Sequence, residues 1–257
     1  MSMDSEGSLR ERLVDAGVEL VTAGGSASVG LREIARRAGV SHGAPRRYFP
    51  THHALLSAIA HRGFADLAAR FAAAGEGTAT PRERLRAIGA AYVAYAVENR
   101  GMFELMFRHD LLDGDGPAAV PAGGGADDRA GGHPGDRTDD RAPGRENGEA
   151  GGSAPERPRL RETTRPLFRE LVGLVELVAR HRAERKGHEG TGPGGREGDA
   201  EPPEVTAAAL WANLHGLAQL WSWGSLPLML DAAPADTGRL DRLVEAVLEA
   251  HLGPAPR

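Results

Sequence analysis

LREIARRAGVSHGAPRRYFP, residues 31–50, is the stretch from which the rest of the chain can be read. Leu31, Ile34, Ala35 and Ala38 recur at i, i+3, i+4 and i+7, the spacing of one helix face, and Gly39 stops that helix. After Val40, Ser41 is placed to cap a further short helix, His42 to Tyr48. Pro45 would be its fourth residue, where a backbone N–H is only beginning to be needed. Phe49-Pro50-Thr51 then breaks the chain. Two short helices joined by a tight glycine turn are what a helix-turn-helix requires, and the second must be small-sided at its start to enter a major groove. Gly43 and Ala44 allow that approach, while His42, Arg46, Arg47 and Tyr48 can donate to phosphates or base edges.

Charge distribution points the same way. The net charge of −5 argues against a generic nucleic-acid binder. Between Ser28 and Gly63, however, the chain carries Arg32, Arg36, Arg37, Arg46, Arg47 and Arg62 against one acid, Glu33. A basic segment in an acidic chain is the footprint of a small phosphate-contacting module, or else a solvated arginine face.

Outward from this stretch the pattern stays helical. Leu9, Leu13, Ala16 and Leu20 predict an amphipathic helix over 8–22, ended by Gly24 and Gly25. Thr51 can cap a helix bearing Leu55, Ile59, Phe64, Leu67 and Phe71. Thr80-Pro81-Arg82-Glu83 is a capping box with proline at the first helical position, and Leu85, Ile88, Tyr92 and Ala96 follow on one face. Asn99 to Gly101 interrupts, and Met102 to Leu112 reads as another helix. About half of the 35 glycines and 17 prolines crowd into two stretches, 113–158 and 186–203. Both are expected to be disordered insertions, because they hold too little apolar surface to offset ordering entropy. Helices are expected again from about Leu160, over Val205 to Trp223, and over Thr237 to Leu252, where Gly253-Pro254 ends the last. Pro166 is expected to delay or kink the first of these. No segment alternates in the manner of a strand. The fold class is therefore all-α, in about nine helices: a three-helix head at 8–70 and a helical body at 78–252.

The residues Leu31 to Gly43, then Tyr48-Phe49-Pro50 and Leu55-Leu56, closely resemble the tetracycline-repressor-type (TetR/AcrR) family of bacterial regulators, over about residues 8–70. The resemblance implies an all-α homodimer with a DNA-binding head, a long fourth helix as connector and a ligand-binding body. It implies contacts to a palindromic operator in double-stranded DNA from Arg32, Ser41, His42, Gly43, Ala44, Arg46, Arg47, Tyr48 and His52. Two positions depart from the family pattern. His52 stands where a phosphate-binding lysine is usual, and Arg46 where an aromatic residue is common. Affinity is thus expected to rest more on Arg46 and Arg47 than on His52. Trp211, His215 and Gly216 resemble a Trp-x-x-x-His-Gly motif in the body of one subgroup. The family's last two helices usually form the dimer interface, which places it on about 204–224 and 237–252. The alternative for these residues is plain core packing.

Tyr92, Met102, Phe103, Met106, Trp211 and His215 are candidates to line an apolar effector site, with Phe107, Trp221 and Trp223 nearby in kind. Residues of these types at helical spacing also make ordinary cores. His42, His52, His53 and His61 lack the carboxylate or third ligand at zinc spacing that a metal would need, so no metal and no cofactor are expected. With no cysteine, no phosphate-binding glycine loop and no nucleophile in a recognisable turn, the chain does not read as an enzyme. Its polar, acidic start and the absence of a long apolar run read as a cytoplasmic protein without a membrane span. The leading expectation is a homodimeric repressor released from its operator by an unknown small apolar effector. A ligand-independent regulator or activator is the nearest rival, and a helical interaction protein without DNA binding the more distant one.

Overall fold

The computed structural model describes residues 3–25, 29–108, 160–188 and 201–255. Every regular element among them is a helix: α1 Met3–Gly24, α2 Leu31–Arg37, α3 Ala44–Tyr48, α4 His52–Gly75, α5 Pro81–Glu98, α6 Arg100–Met106, α7 Leu160–His188, α8 Pro203–Ser222, α9 Ser225–Met229 and α10 Thr237–Leu252. The all-α expectation holds, with ten helices among the described residues. The insertion read at 113–158 lies outside the described residues. The helix expected over Met102–Leu112 is shorter: α6 ends at Met106, Phe107 is its C-cap and Arg108 is not helical, while residues 109–112 lie outside the described residues. Of the stretch 186–203, α7 runs to His188 and α8 starts at Pro203, while residues 189–200 lie outside the description.

In the head α1 packs on α4 and also holds α2 and α3, which pack on each other. Leu13, Ile34, Phe49, Leu55 and Ile59 are fully buried at its centre, each contributing on the order of 2 kcal/mol of apolar burial. Gly17 lets α1 and α4 meet closely, because a Cβ there would run into the Ile59 side chain. The turn after α2 requires glycine: Gly39 has φ 67°, and the Val40 N–H donates back to Ala35 O at 3.0 Å. From across the head, Arg12 donates to Ala38 O at 2.6 Å and closes the end of α2.

α3 starts later than the sequence suggested. Ser41 O accepts from Ala44 N at 3.0 Å in a turn, Gly43 takes the N-cap position, and Pro45 falls in the first turn. The reason is the missing N–H of Pro45, which is free of cost only where no intrahelical bond is due. The Thr51 cap on α4 forms as read, its hydroxyl accepting from Ala54 N at 3.0 Å.

α5 is the axis of the body and touches α4, α6, α7, α8 and α10. It begins with the expected capping box: Thr80 Oγ1 accepts from Glu83 N at 3.2 Å and Glu83 Oε2 accepts from Thr80 N at 3.0 Å. The break after α5 is narrower than expected. Asn99 alone interrupts, its side chain donating to Tyr95 O at 3.2 Å, and α6 starts at Arg100. Gly101 lies directly on the C-terminal backbone of α1, where a Cβ would collide with Val21 O. α7 continues through Pro166, which sits near its start on an exposed face. α9 was not legible as a period, being five residues long after Gly224 at φ 79°.

Candidate nucleic-acid interface and body cavity

The arginines of the basic segment fall into two sets. Arg36 is bonded to Glu33 at 2.5 Å, Arg37 lies 3.4 Å from Glu19, and Arg62 donates to Asp15 at 2.9 Å. The hydrogen bond from Arg36 holds the Glu33 carboxyl below its ordinary range and raises the guanidinium in turn. Arg32, Arg46 and Arg47 are exposed, and none has an ion pair among the described residues. Among the described residues, the guanidinium groups at the start of α2 and on α3 are thus left without an ion pair.

The other candidate positions surround them. Ser41, His42 and Gly43 are exposed in the turn before α3, and Ala44 and Tyr48 are half-buried. Pro45 of α3 and Phe49, its C-cap, point inward. This arrangement follows from the sequence: one apolar edge anchors the short helix while the double arginine faces out. His52 is exposed, but its Nε2 lies 2.7 Å from Val29 O, so that nitrogen donates to the backbone of the α1–α2 connection. No group of three or more histidine, aspartate or glutamate residues among the described residues could hold a metal.

The body contains a cavity of about 330 Å³ between α4, α5, α7 and α8. Phe64, Leu67 and Phe71 of α4 form one wall, Ile88 and Tyr92 of α5 another, and Leu171 of α7 and Trp211 of α8 contribute to the rest. Polar lining comes from Thr164, Arg165 and Glu170 on α7, and Glu170 is held by Arg84 at 2.7 Å. Of the six candidates, Tyr92 and Trp211 line this space. Phe103 and His215 stand behind them, stacked on each other at 5.1 Å between centroids. Met102 and Met106 are buried elsewhere, packed on Gly63 of α4. Trp221 is core and donates to Pro234 O at 3.0 Å, and Trp223 is exposed. The α4 and α7 lining was missed because those residues read simply as helix faces. Nothing local distinguishes an apolar face against a cavity from one against a core.

Three polar side chains meet at the inner wall. Trp211 Nε1 donates to Tyr92 Oη at 3.1 Å, and Tyr92 Oη lies 2.7 Å from His215 Nδ1. Burial pushes the Tyr92 hydroxyl far above a tyrosine's ordinary range and holds the His215 imidazole below its ordinary value. A second buried tyrosine, Tyr95, is pushed up to about 12 by burial and donates to Gly63 O at 3.3 Å.

Residues 13–59 match the family model described as bacterial regulatory proteins, tetR family. No curated protein matches the chain. Among solved structures, a protein of unknown function from Rhodococcus sp. RHA1 is 25% identical with a TM-score of 0.57, covering 95% of this chain and 93% of its own. A TetR-like transcriptional regulator from the same source is 14% identical with a TM-score of 0.53, over 96% and 97% of the two chains. The transcriptional regulator FadR from Bacillus subtilis, solved in complex with stearoyl-CoA, is 13% identical with a TM-score of 0.53, over 95% and 99%. The last two likenesses concern the fold, a small head on a larger helical body. An exposed helix-turn-helix with unpaired arginines, matched by that family model, defines a DNA-binding transcriptional regulator. Residues 13–59 of its head match the tetR-family model, and the fold is shared with a solved TetR-like transcriptional regulator. No helix among the described residues is long and apolar enough to cross a membrane.

Proposed function

We propose that this protein is a cytoplasmic homodimeric repressor, released from a palindromic operator by a small apolar effector. The observation that carries the reading is the sorting of the arginines. The head neutralises Arg36, Arg37 and Arg62 internally and leaves Arg32, Arg46 and Arg47 for phosphates or bases. The same interface takes in Ser41, His42, Gly43, Ala44 and Tyr48, with His52 in a lesser part because of its bond to Val29 O. The head corresponds to residues 8–70 and the regulatory body to 78–252.

Dimerisation is assigned to α8 and α10. An apolar, small-residue stripe runs along α8 through Val205, Ala208, Ala212, Gly216, Leu220 and Trp223, and most of it is exposed. A second copy of the chain covers it in this reading, setting two α3 helices about 34–36 Å apart for successive major grooves. The effector occupies the α4–α5–α7–α8 cavity, against Tyr92 and Trp211. α4 lines that cavity with Phe64, Leu67 and Phe71 and holds the head with Leu55 and Ile59. A ligand that fits only a displaced α4 would therefore select a dimer of the wrong spacing. The stearoyl-CoA held by Bacillus subtilis FadR supports a ligand-binding body in this fold. Trp211, His215 and Gly216 on α8 support placing the chain in the Trp-x-x-x-His-Gly subgroup.

Gel-shift titration on palindromic fragments from upstream of the protein's own gene tests the reading. Retardation at nanomolar protein, with two subunits per fragment by sedimentation, is the expected result. No retardation at low salt would overturn it.

A further inference from the structure

The inner wall of the cavity has a fixed order of hydrogen-bond donors, and that order selects a ligand chemistry. Trp211 Nε1 is a donor only, so Tyr92 Oη must accept from it. The single Tyr92 proton then needs an acceptor, and His215 Nδ1 at 2.7 Å is the one in reach among the described residues. A buried hydroxyl left without an acceptor costs far more than a made bond returns. With no other acceptor in reach among the described residues, this order puts His215 in the tautomer with Nε2–H and a bare Nδ1. Its ring cannot easily swing away, because Phe103 stacks on it at 5.1 Å and Phe107 meets it edge-on at 4.7 Å. Burial, which disfavours the imidazolium, agrees with the neutral ring.

After these two bonds Tyr92 Oη keeps one lone pair and no proton to give. Trp211 Nε1 is also spent. The rest of the inner wall is hydrocarbon, and the polar lining residues Thr164, Arg165 and Glu170 all sit on α7. We propose that the cavity takes a predominantly apolar ligand carrying a hydroxyl or N–H donor at its inner end, which is accepted by the free lone pair of Tyr92 Oη. Carbonyl, ether and carboxylate ends are rejected. An acceptor could bind there only by reversing the proton order, with His215 Nδ1–H donating to Tyr92 and Tyr92 donating to the ligand. This inference rests on the cavity being the effector site proposed above, and it adds the chemical class.

Calorimetric titration of the full-length protein with three matched probes tests it: 4-pentylphenol, 4-pentylacetophenone and 4-pentylbenzoate. The phenol is expected to bind about tenfold or more tightly than the ketone and the carboxylate. Tyr92→Phe should bring the phenol-to-ketone ratio close to one. His215→Leu frees the Tyr92 proton and should lower that ratio in the ketone's favour, a change that a loss of packing would not produce. Equal affinity for phenol and ketone in the unaltered protein would overturn the inference, as would a ratio unmoved by both substitutions or the binding of no probe. A gel shift on the same samples reads DNA binding independently, so failure here is separable from failure of the regulator reading.

Discussion

Arg46 and Arg47, in the head, have no internal ion pair among the described residues, whereas Tyr92, in the body, has its hydroxyl engaged by two neighbours. The head presents charge on a five-residue helix whose inward edge is Pro45, with Phe49 immediately after it. The body hides its polar atoms behind aromatic rings and leaves one lone pair over. An unpaired guanidinium at a surface is well solvated and costs the fold little, so it can be kept for a partner. An unpaired hydroxyl in a cavity wall is costly, so the body satisfies it locally and any ligand must fit what remains. The two regions can thus respond to very different partners with the same small set of groups.

That contrast can be broken from either side. The largest effect belongs to the body. Phe64 is almost fully buried and meets Phe107 edge-on at 5.6 Å. Phe64→Ala is expected to lower unfolding stability by about 3–5 kcal/mol in urea titrations; a loss under 1 kcal/mol would mean that the cavity wall is not part of the core.

The head should behave in the opposite way. Replacing Arg46 and Arg47 together with alanine should leave the melting temperature unchanged. DNA affinity should fall on the order of a hundredfold at low salt, and the salt dependence should become shallower by about two released ions. The paired Arg36→Ala should change affinity only a few-fold, its charge being already met by Glu33. Equal losses from the two substitutions would remove the distinction between paired and unpaired arginines.

The smallest effect tests the Tyr92–His215 contact. Because burial lowers the His215 pKa, the unfolded chain binds that proton more readily than the folded one. Stability should fall as the pH drops below the ordinary imidazole value of 6.5, and His215→Leu should flatten that part of the profile in thermal melts.

The sequence resolved these two regions unequally. Thr51, Thr80 with Glu83, and Gly39 act on backbone groups a few residues away, so their roles could be read from spacing and all three form as read. α3 was placed two residues early because a serine cap is a local signal, while the effect of Pro45 depends on where the helix starts. The bond from His52 to Val29 O was not legible, since it spans 23 positions. In the body the choice among aromatic and methionine candidates was beyond local pattern. Met102 and Met106 share a helix with Phe103, and only the packing of α6 against Gly63 of α4 sends the two methionines away from the cavity.

The brevity of α3 limits how much text the protein can spell out by touch. At 1.5 Å per residue, Ala44–Tyr48 extends about 7.5 Å, the rise of little more than two base pairs. Each groove is then sampled over a very brief word. In the proposed complex, selectivity beyond it would have to come from neighbouring contacts such as Arg32 or from how willingly the duplex bends or narrows to meet the protein.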